Sequence, residues 1–126
     1  MSDKKKIIVV DDDPDLVTFM TSLLEDNGYV TSSAGDGQEG IDKVRSDRPD
    51  LIVLDITMPE KSGVKFYREV REDDGLKTIP VVMVTGVTGG FEKFISTRRQ
   101  VPPPDAYFSK PVNQKDFLEK VAELLS

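Results

Sequence analysis

Cysteine and histidine are both absent from this chain of 126 residues. Without cysteine there can be no disulfides and no thiolate chemistry. Without histidine the chain lacks the commonest general base, the serine-histidine triads, the usual zinc sites and any role as a phosphohistidine carrier. Thiol enzymes and triad hydrolases are therefore excluded before any motif is considered.

Long apolar runs and an excess of positive charge are missing as well. After the basic start MSDKKK, only four apolar residues precede the first aspartates, which is too few for a signal peptide or a membrane span. We therefore expect no membrane insertion and a cytoplasmic location. The net charge of −6 argues against broad binding to a phosphate backbone, so we expect no direct contact with nucleic acid.

The length and composition fit one domain. A chain of this size can bury roughly two-thirds of its unfolded surface, which is enough for a core. Its 32% charged and 37% hydrophobic residues are ordinary for a globular protein. No repeat or linker divides the chain, and we expect a single domain over residues 1–126.

Short apolar segments alternate with amphipathic ones along the chain. Three apolar segments do not alternate with polar residues and are typical of strands buried on both faces: KIIVV (6–10), DLIVLD (50–55) and IPVVMVT (79–85). Two weaker segments are typical of edge strands: YVTSSA (29–34) and DAYFSK (105–110).

Helical spacing and capping residues occupy the intervals between these segments. Asp13 with Pro14 predicts a capped start for the first helix, and Gly28 predicts its end. Further helices are marked by Ile41 and Val44, by Ser62 with Val64, and by Asn113 with Phe117.

Five repeats of strand and helix predict an α/β fold with right-handed crossovers. We expect a doubly wound, five-stranded parallel sheet of order 2-1-3-4-5 with helices on both faces, a flavodoxin-like three-layer sandwich. Ligands of such sheets bind at the carboxyl ends of the strands. The residues that end strands at this edge are Asp11, Asp12, Asp55, Thr85 and Lys110.

Three carboxylates that share one sheet edge would repel one another. Two unit charges about 4 Å apart repel by about 4 kcal/mol at an effective dielectric constant of about 20. Mg²⁺ suits one or two carboxylates together with waters and a phosphate oxygen. Asp11, Asp12 and Asp55 are therefore the candidate magnesium ligands.

A carboxylate can also act as a nucleophile and form an aspartyl phosphate. Such a transfer needs neutralisation of charge more than acid-base help. Lys110 and Thr85 are placed to provide a cation and a hydroxyl donor.

The acidic run has two other interpretations. Asp13 is best explained as the cap of the first helix, because it precedes a proline at the first helical position. The spacing of Asp11, Asp13 and Asp15 also suggests a calcium loop. That interpretation fails, because Leu16 stands where the loop needs glycine and Ser22 where it needs glutamate.

Four segments in order, VVDDD, LIVLDITMPEKSG, VVMVTG and YFSKP, resemble the signatures of the response-regulator receiver domain of two-component signalling. The resemblance spans nearly the whole chain and is to a single-domain receiver that is similar to chemotaxis regulators. It implies that Asp55 is the phosphoacceptor and that Asp11 and Asp12 are the acidic pair that binds Mg²⁺. The backbone carbonyl of Thr57 would complete the metal coordination.

The resemblance also implies roles for residues near the ends of the last two strands. Thr85 would donate a hydrogen bond to the phosphoryl group, and Lys110 would pair with it. Tyr107 matches the switch aromatic of the family, and the peptide between Lys110 and Pro111 is often cis in receivers.

A receiver accepts a phosphoryl group from a sensor histidine kinase or a phosphotransfer protein. The modified state then changes the binding of a downstream protein. By this resemblance the chain is no dedicated turnover enzyme, although it would catalyse its own phosphorylation and slow dephosphorylation, as a monomer or weak dimer. It would be either a stand-alone receiver or a piece of a longer regulator.

Two alternatives stay open at the level of sequence. One is a docking module that works without phosphorylation. The other is a phosphohydrolase of the haloacid-dehalogenase type, which also uses an aspartate nucleophile and Mg²⁺. Those hydrolases need further acidic ligands after the lysine and usually a cap domain, and neither occurs in this chain.

The region between Thr85 and Lys110 departs from the receiver pattern. It is a few residues longer than usual, and only Phe91, Phe94 and Ile95 support a helix there. The three consecutive prolines at 102–104 cannot continue a helix. We expect a short or irregular fourth helix followed by a stiff proline segment. Position 86 is glycine, so access to the phosphoryl group should stay open.

Overall fold

A computed structural model describes residues 4–55, 62–85, 105–109 and 112–125. The strands in these ranges are β1 Lys6–Val10, β2 Val30–Ala34, β3 Leu51–Asp55, β4 Val81–Thr85 and β5 Ala106–Ser109. The helices, numbered in chain order, are α1 Pro14–Asp26, α2 Gly37–Asp47, α3 Ser62–Glu72 and α4 Gln114–Leu125. None of these helices is long and apolar enough to cross a membrane.

The described strands form one parallel sheet in the order β2-β1-β3-β4-β5. Alternate residues of the central strands enter two separate cores. Ile8 and Ile52 pack with residues of α2 and α3, while Ile7 and Leu51 pack with residues of α1 and α4. Helices therefore cover both faces, which confirms the predicted three-layer α/β sandwich and its strand order.

The strand predictions hold with small changes at the ends. β1 and β3 are buried almost throughout, as their unbroken apolar sequences predict, and β2 and β5 lie at the two edges of the described sheet. β4 begins at Val81, two residues later than predicted. Pro80 has no amide hydrogen for the ladder, although its carbonyl accepts a bond of 3.0 Å from the amide of Ile52.

The predicted helix ends are also confirmed. Asp13 caps α1 by accepting the amide of Asp15 at 3.0 Å, and Pro14 is the first helical residue. Gly28 follows the end of α1 with φ of +92°, a backbone region that favours glycine. The side chain of Asn113 accepts the amide of Asp116 at 3.0 Å at the start of α4.

The start of α2 was not predicted from its cap. Asp36 is the N-cap and accepts the amide of Glu39 at 2.8 Å. Glu39 reaches back to accept the amide of Gly35 at 2.8 Å. An acidic cap followed three residues later by glutamate is a recognisable helix-start pattern, so this signal was present in the sequence.

Besides the predicted site roles of Thr57 and Lys110, three predictions fall on residues outside the described ranges. They are the irregular helix and proline segment between β4 and β5, the glycine at position 86, and the cis peptide between Lys110 and Pro111. They stay predictions.

The outer edge of β2 is partly covered by a side chain from α2. The carbonyl of Ala34 accepts the amide of Asp11 at 3.0 Å and so points toward β1. Because successive carbonyls of a strand alternate in direction, the carbonyl of Ser33 points outward. The ammonium group of Lys43 donates a hydrogen bond to that carbonyl and lies 3.5 Å from the carboxylate of Glu39.

Helix α2 packs closely over the sheet at Gly40. A Cβ atom at this position would lie 2.9 Å from Cε1 of Phe66 and 3.3 Å from Cγ1 of Val10. Phe66 is 1% exposed and Val10 is fully buried, so neither side chain has space to withdraw into. Glycine is therefore needed here for close approach and not for backbone freedom.

We expect Gly40→Ala to lower the free energy of unfolding by about 1 kcal/mol. Overpacking a core costs about 1–3 kcal/mol, and the better helix propensity of alanine returns only about 1 kcal/mol of it. Urea denaturation measures the difference. Gly35→Ala is the control, because its Cβ would have Glu39 Oε1 as nearest atom at 3.7 Å. A Gly40→Ala variant as stable as wild type would contradict the close packing.

Candidate acidic site at the carboxyl edge of the sheet

Asp11 follows β1 and stays in the sheet ladder. Its amide donates to the carbonyl of Ala34 in β2 at 3.0 Å, and the residue is 2% exposed. One carboxylate oxygen, Oδ1, accepts the amide of Asp13 at 2.9 Å. The same turn that starts α1 therefore also holds the Asp11 carboxylate in position.

Asp55 is the last residue of β3 and is 3% exposed. In the pairing of β1 with β3, Val10 lies opposite Leu54, so Asp11 and Asp55 are the next residues on each strand. Neighbouring strands lie about 4.8 Å apart. Side chains alternate along each strand, and both aspartates fall on the side of Ile7, Val9, Leu51 and Val53, which faces α1 and α4.

Asp11 and Asp55 are the only buried polar or charged residues among the described residues. Two carboxylates this close repel each other, and burial removes the water that would screen them. A positive charge at this edge would offset the repulsion. Carboxylate oxygens are hard ligands of the kind that Mg²⁺ prefers, and Mg²⁺ needs only one or two of them because it keeps several waters. The residues present therefore fit a magnesium ion.

Asp12 differs from its two predicted partners. It lies in the bend between β1 and α1 and is exposed. Among the described residues there is no group of three or more acidic side chains arranged to hold a metal ion. The described part of the site is thus a buried pair, and the roles of Asp12 and of the Thr57 carbonyl, which lies outside the described ranges, stay predictions.

Two of the other predicted site residues, Thr85 and Tyr107, lie in the described strands. Thr85 ends β4 and pairs with Ser109 of β5, and Tyr107 pairs with Met83. Only the backbone of Thr85 and Tyr107 is described, and Lys110, the next residue after Ser109, lies outside the described ranges. The site roles of these three residues therefore stay predictions.

Sequence reasoning missed two charged residues at the opposite end of the sheet, Arg71 and Asp105. They form an ion pair of 2.8 Å although 34 residues separate them. The one available signal was an arginine in the last turn of a predicted helix, where it can bind main-chain carbonyls. The partner could not be found from sequence, because nothing local relates the two positions.

The match to known proteins decides the family. Residues 7–122 match the family model of the response regulator receiver domain. The chain belongs to this family. The predicted function class is thereby confirmed, namely a receiver domain of response regulators in two-component signalling, which is not a dedicated enzyme family. The haloacid-dehalogenase alternative loses its support.

Curated relatives agree with this assignment. The polar-differentiation response regulator DivK of Brucella anthropi is 34% identical over 121 residues, covering 96% of each chain. The DNA-binding response regulator MtrA of Mycolicibacterium smegmatis is 34% identical over 118 residues, which are 94% of this chain and 49% of MtrA. The receiver therefore spans nearly all of DivK but about half the length of MtrA.

A solved structure shows the same fold. The CheY-like receiver domain protein of Methanospirillum hungatei superposes with a TM-score of 0.82 at 30% identity, covering 97% of this chain and 94% of that one. The receiver fold inferred from the strand pairing is therefore also found in a relative of nearly equal length.

The capping role of Asp13 can be separated from a role as metal ligand. Asp13→Asn keeps a capping oxygen, so we expect wild-type stability in urea and Mg²⁺ affinity within about threefold of wild type by calorimetric titration. Asp13→Ala should lose about 1 kcal/mol of unfolding free energy, as should the control Asp36→Ala at the start of α2. A large loss of Mg²⁺ affinity in Asp13→Asn would identify Asp13 as a ligand instead.

Proposed function

We propose that this receiver accepts a phosphoryl group on Asp55 from a sensor histidine kinase or a phosphotransfer protein, in a reaction that needs Mg²⁺. The observation that carries the proposal is the pairing of β1 with β3, which puts two buried carboxylates at one level of the sheet. Asp55 ends its strand, so its carboxylate stands at the edge where ligands of such sheets bind.

In the proposed reaction an oxygen of Asp55 attacks phosphorus, and the bond from phosphorus to its former carrier breaks. The carrier leaves with the bonding electrons and takes up a proton, while Asp55 becomes an acyl phosphate. Bound Mg²⁺ would neutralise charge on the phosphoryl oxygens. Asp11, Asp12 and the Thr57 carbonyl would hold the ion, and Asp55 would supply a further oxygen.

Lys110 and Thr85 complete the proposed site from the neighbouring strands. Lys110 would pair with the phosphoryl group as a cation, and Thr85 would donate a hydrogen bond to it. Thr85 and Tyr107 together would stabilise the conformation in which Asp55 is phosphorylated. A shift from 1:99 to 99:1 takes about 5.5 kcal/mol of bias, so a partner that binds the modified state would complete the switch.

We infer that residues 1–126 act as one cytoplasmic receiver domain, as a monomer or weak dimer, whose output is the binding of a downstream protein and not direct contact with nucleic acid. The net charge of −6 supports that last point. Self-catalysed phosphorylation and slow dephosphorylation would be its only chemistry.

Phosphorylation can be tested directly by intact mass. We expect wild-type protein incubated with acetyl phosphate and Mg²⁺ to gain one phosphoryl group, and Asp55→Asn to gain none. Asp50→Asn is the matched control, because Asp50 lies at the opposite end of β3 and accepts the amide of Lys6 at 2.8 Å. No adduct on the wild type, together with failure of a fluoroberyllate mimic to bind, would refute the proposal and favour a phosphorylation-independent docking module.

Magnesium binding can be tested without any phosphoryl transfer. A ligand present at about 100 times its dissociation constant stabilises the state that binds it by about 2.7 kcal/mol. We therefore expect MgCl₂ to raise the urea midpoint of wild-type protein and of Asp50→Asn, and to raise that of Asp11→Asn much less. Equal Mg²⁺ stabilisation of all three proteins would place the ion elsewhere.

A further inference from the structure

Arg71 lies in the last turn of α3, and its side chain is only 9% exposed. Nη1 donates to the carbonyls of Lys77 and Ile79 at 2.9 and 3.0 Å. These two residues belong to the segment that leads into β4. The guanidinium group therefore binds the main chain just before that strand begins.

Tyr67 supports the guanidinium group from one turn earlier in α3. Its ring centroid lies 5.1 Å from Cζ of Arg71, and its hydroxyl oxygen accepts Nε at 3.2 Å. Burial raises the pKa of Tyr67 above its ordinary value of 10.0, against the opposing effect of Arg71, so the phenol stays protonated at neutral pH. Arg71 thus packs against a neutral aromatic ring.

The other end of the guanidinium fork reaches Asp105, the residue before β5. Nη2 donates to Oδ2 of Asp105 at 2.8 Å, and the same oxygen accepts the amide of Val81 at 2.9 Å. The amide of Asp105 in turn donates to the carbonyl of Val81 at 3.0 Å. Asp105 therefore joins the start of β4 through both its main chain and its side chain, and Arg71 bonds to the segments that lead into both strands.

This arrangement fixes the register of β5 where it starts. β5 has only four residues and lies at the edge of the described sheet, so its own ladder with β4 is short. A slip of one residue would move each side chain by about 3.3 Å along the strand and turn it to the other face. The register that the bonds of Arg71 and Asp105 favour places Ser109 opposite Thr85. Lys110 is the next residue in the chain.

We propose that Arg71 and Asp105 are positioning residues for phosphorylation, because their clamp at the amino end of β4 and β5 sets the register that delivers Lys110 to the acidic edge. This inference rests on the proposed function. It assigns a catalytic consequence to an ion pair that touches neither Asp55 nor a phosphoryl group. The magnesium ligands belong to β1, to β3 and to the segments that follow them, so the clamp should affect transfer and not metal binding.

The test compares the phosphorylation rate and the Mg²⁺ affinity of two conservative variants with those of the wild type. Arg71→Lys keeps the positive charge but loses the planar fork, and Asp105→Asn keeps an acceptor oxygen but loses the negative charge. We expect both to gain the phosphoryl group from acetyl phosphate more slowly by about tenfold to about hundredfold, as for a misplaced catalytic group. Their Mg²⁺ affinity, measured by calorimetry without phosphodonor, should equal that of wild type.

Two control variants separate this role from general loosening or loss of charge. Val44→Ala removes buried volume from α2 and lowers stability, and the core cluster that contains Val44 includes no described residue of β5. Asp74→Asn removes the same charge as Asp105→Asn from a side chain that is 95% exposed and paired with Lys77. Both should be phosphorylated at the wild-type rate. Amide hydrogen exchange of residues 106–109 should speed up in Arg71→Lys and Asp105→Asn only.

The possible results are distinct. If the wild type is phosphorylated and the two clamp variants keep its rate, the positioning role is wrong while the proposed function stands. If rate and Mg²⁺ affinity fall together, or if Val44→Ala slows as much as Arg71→Lys, the clamp is merely structural and the inference is again overturned. If the wild type forms no adduct at all, the proposed function fails and takes this role with it.

Discussion

The register between β1 and β3 is the constraint on which the acidic site depends. Hydrogen bonds of a parallel ladder fix which residues stand side by side, and here they bring two carboxylates to the same level at the ends of two buried strands. Side-chain flexibility cannot relieve that placement, because both residues are almost fully buried. The fold thus holds a concentration of negative charge that favours binding of a cation.

Much of this arrangement could be predicted from sequence because its signals are local. Unbroken apolar strands, the cap formed by Asp13 and the positive φ of Gly28 each follow from a few neighbouring residues. The exposure of Asp12 and the partner of Arg71 could not be predicted. The first depends on how sharply the chain bends after β1, and the second joins residues from distant parts of the chain.

The two ends of the sheet carry different arrangements of charge. At the carboxyl end, like charges gather where a ligand can offset them. At the amino end, the largely buried Arg71 pairs with the more exposed Asp105 and donates to the carbonyls of Lys77 and Ile79 in the segment before β4. Between these ends, close packing such as that of Phe66 against Gly40 joins the helical layer to the sheet.

Lys43 of α2 bonds to the outer edge of β2, and this bond affects how easily another chain can pair with that edge. An incoming extended peptide would have to displace a charged ammonium from the Ser33 carbonyl before it could add a sixth strand there. That displacement would leave the cation beside the exposed carboxylate of Glu39. The bond from Lys43 thereby opposes aggregation by edge-strand pairing, to which any open sheet is prone.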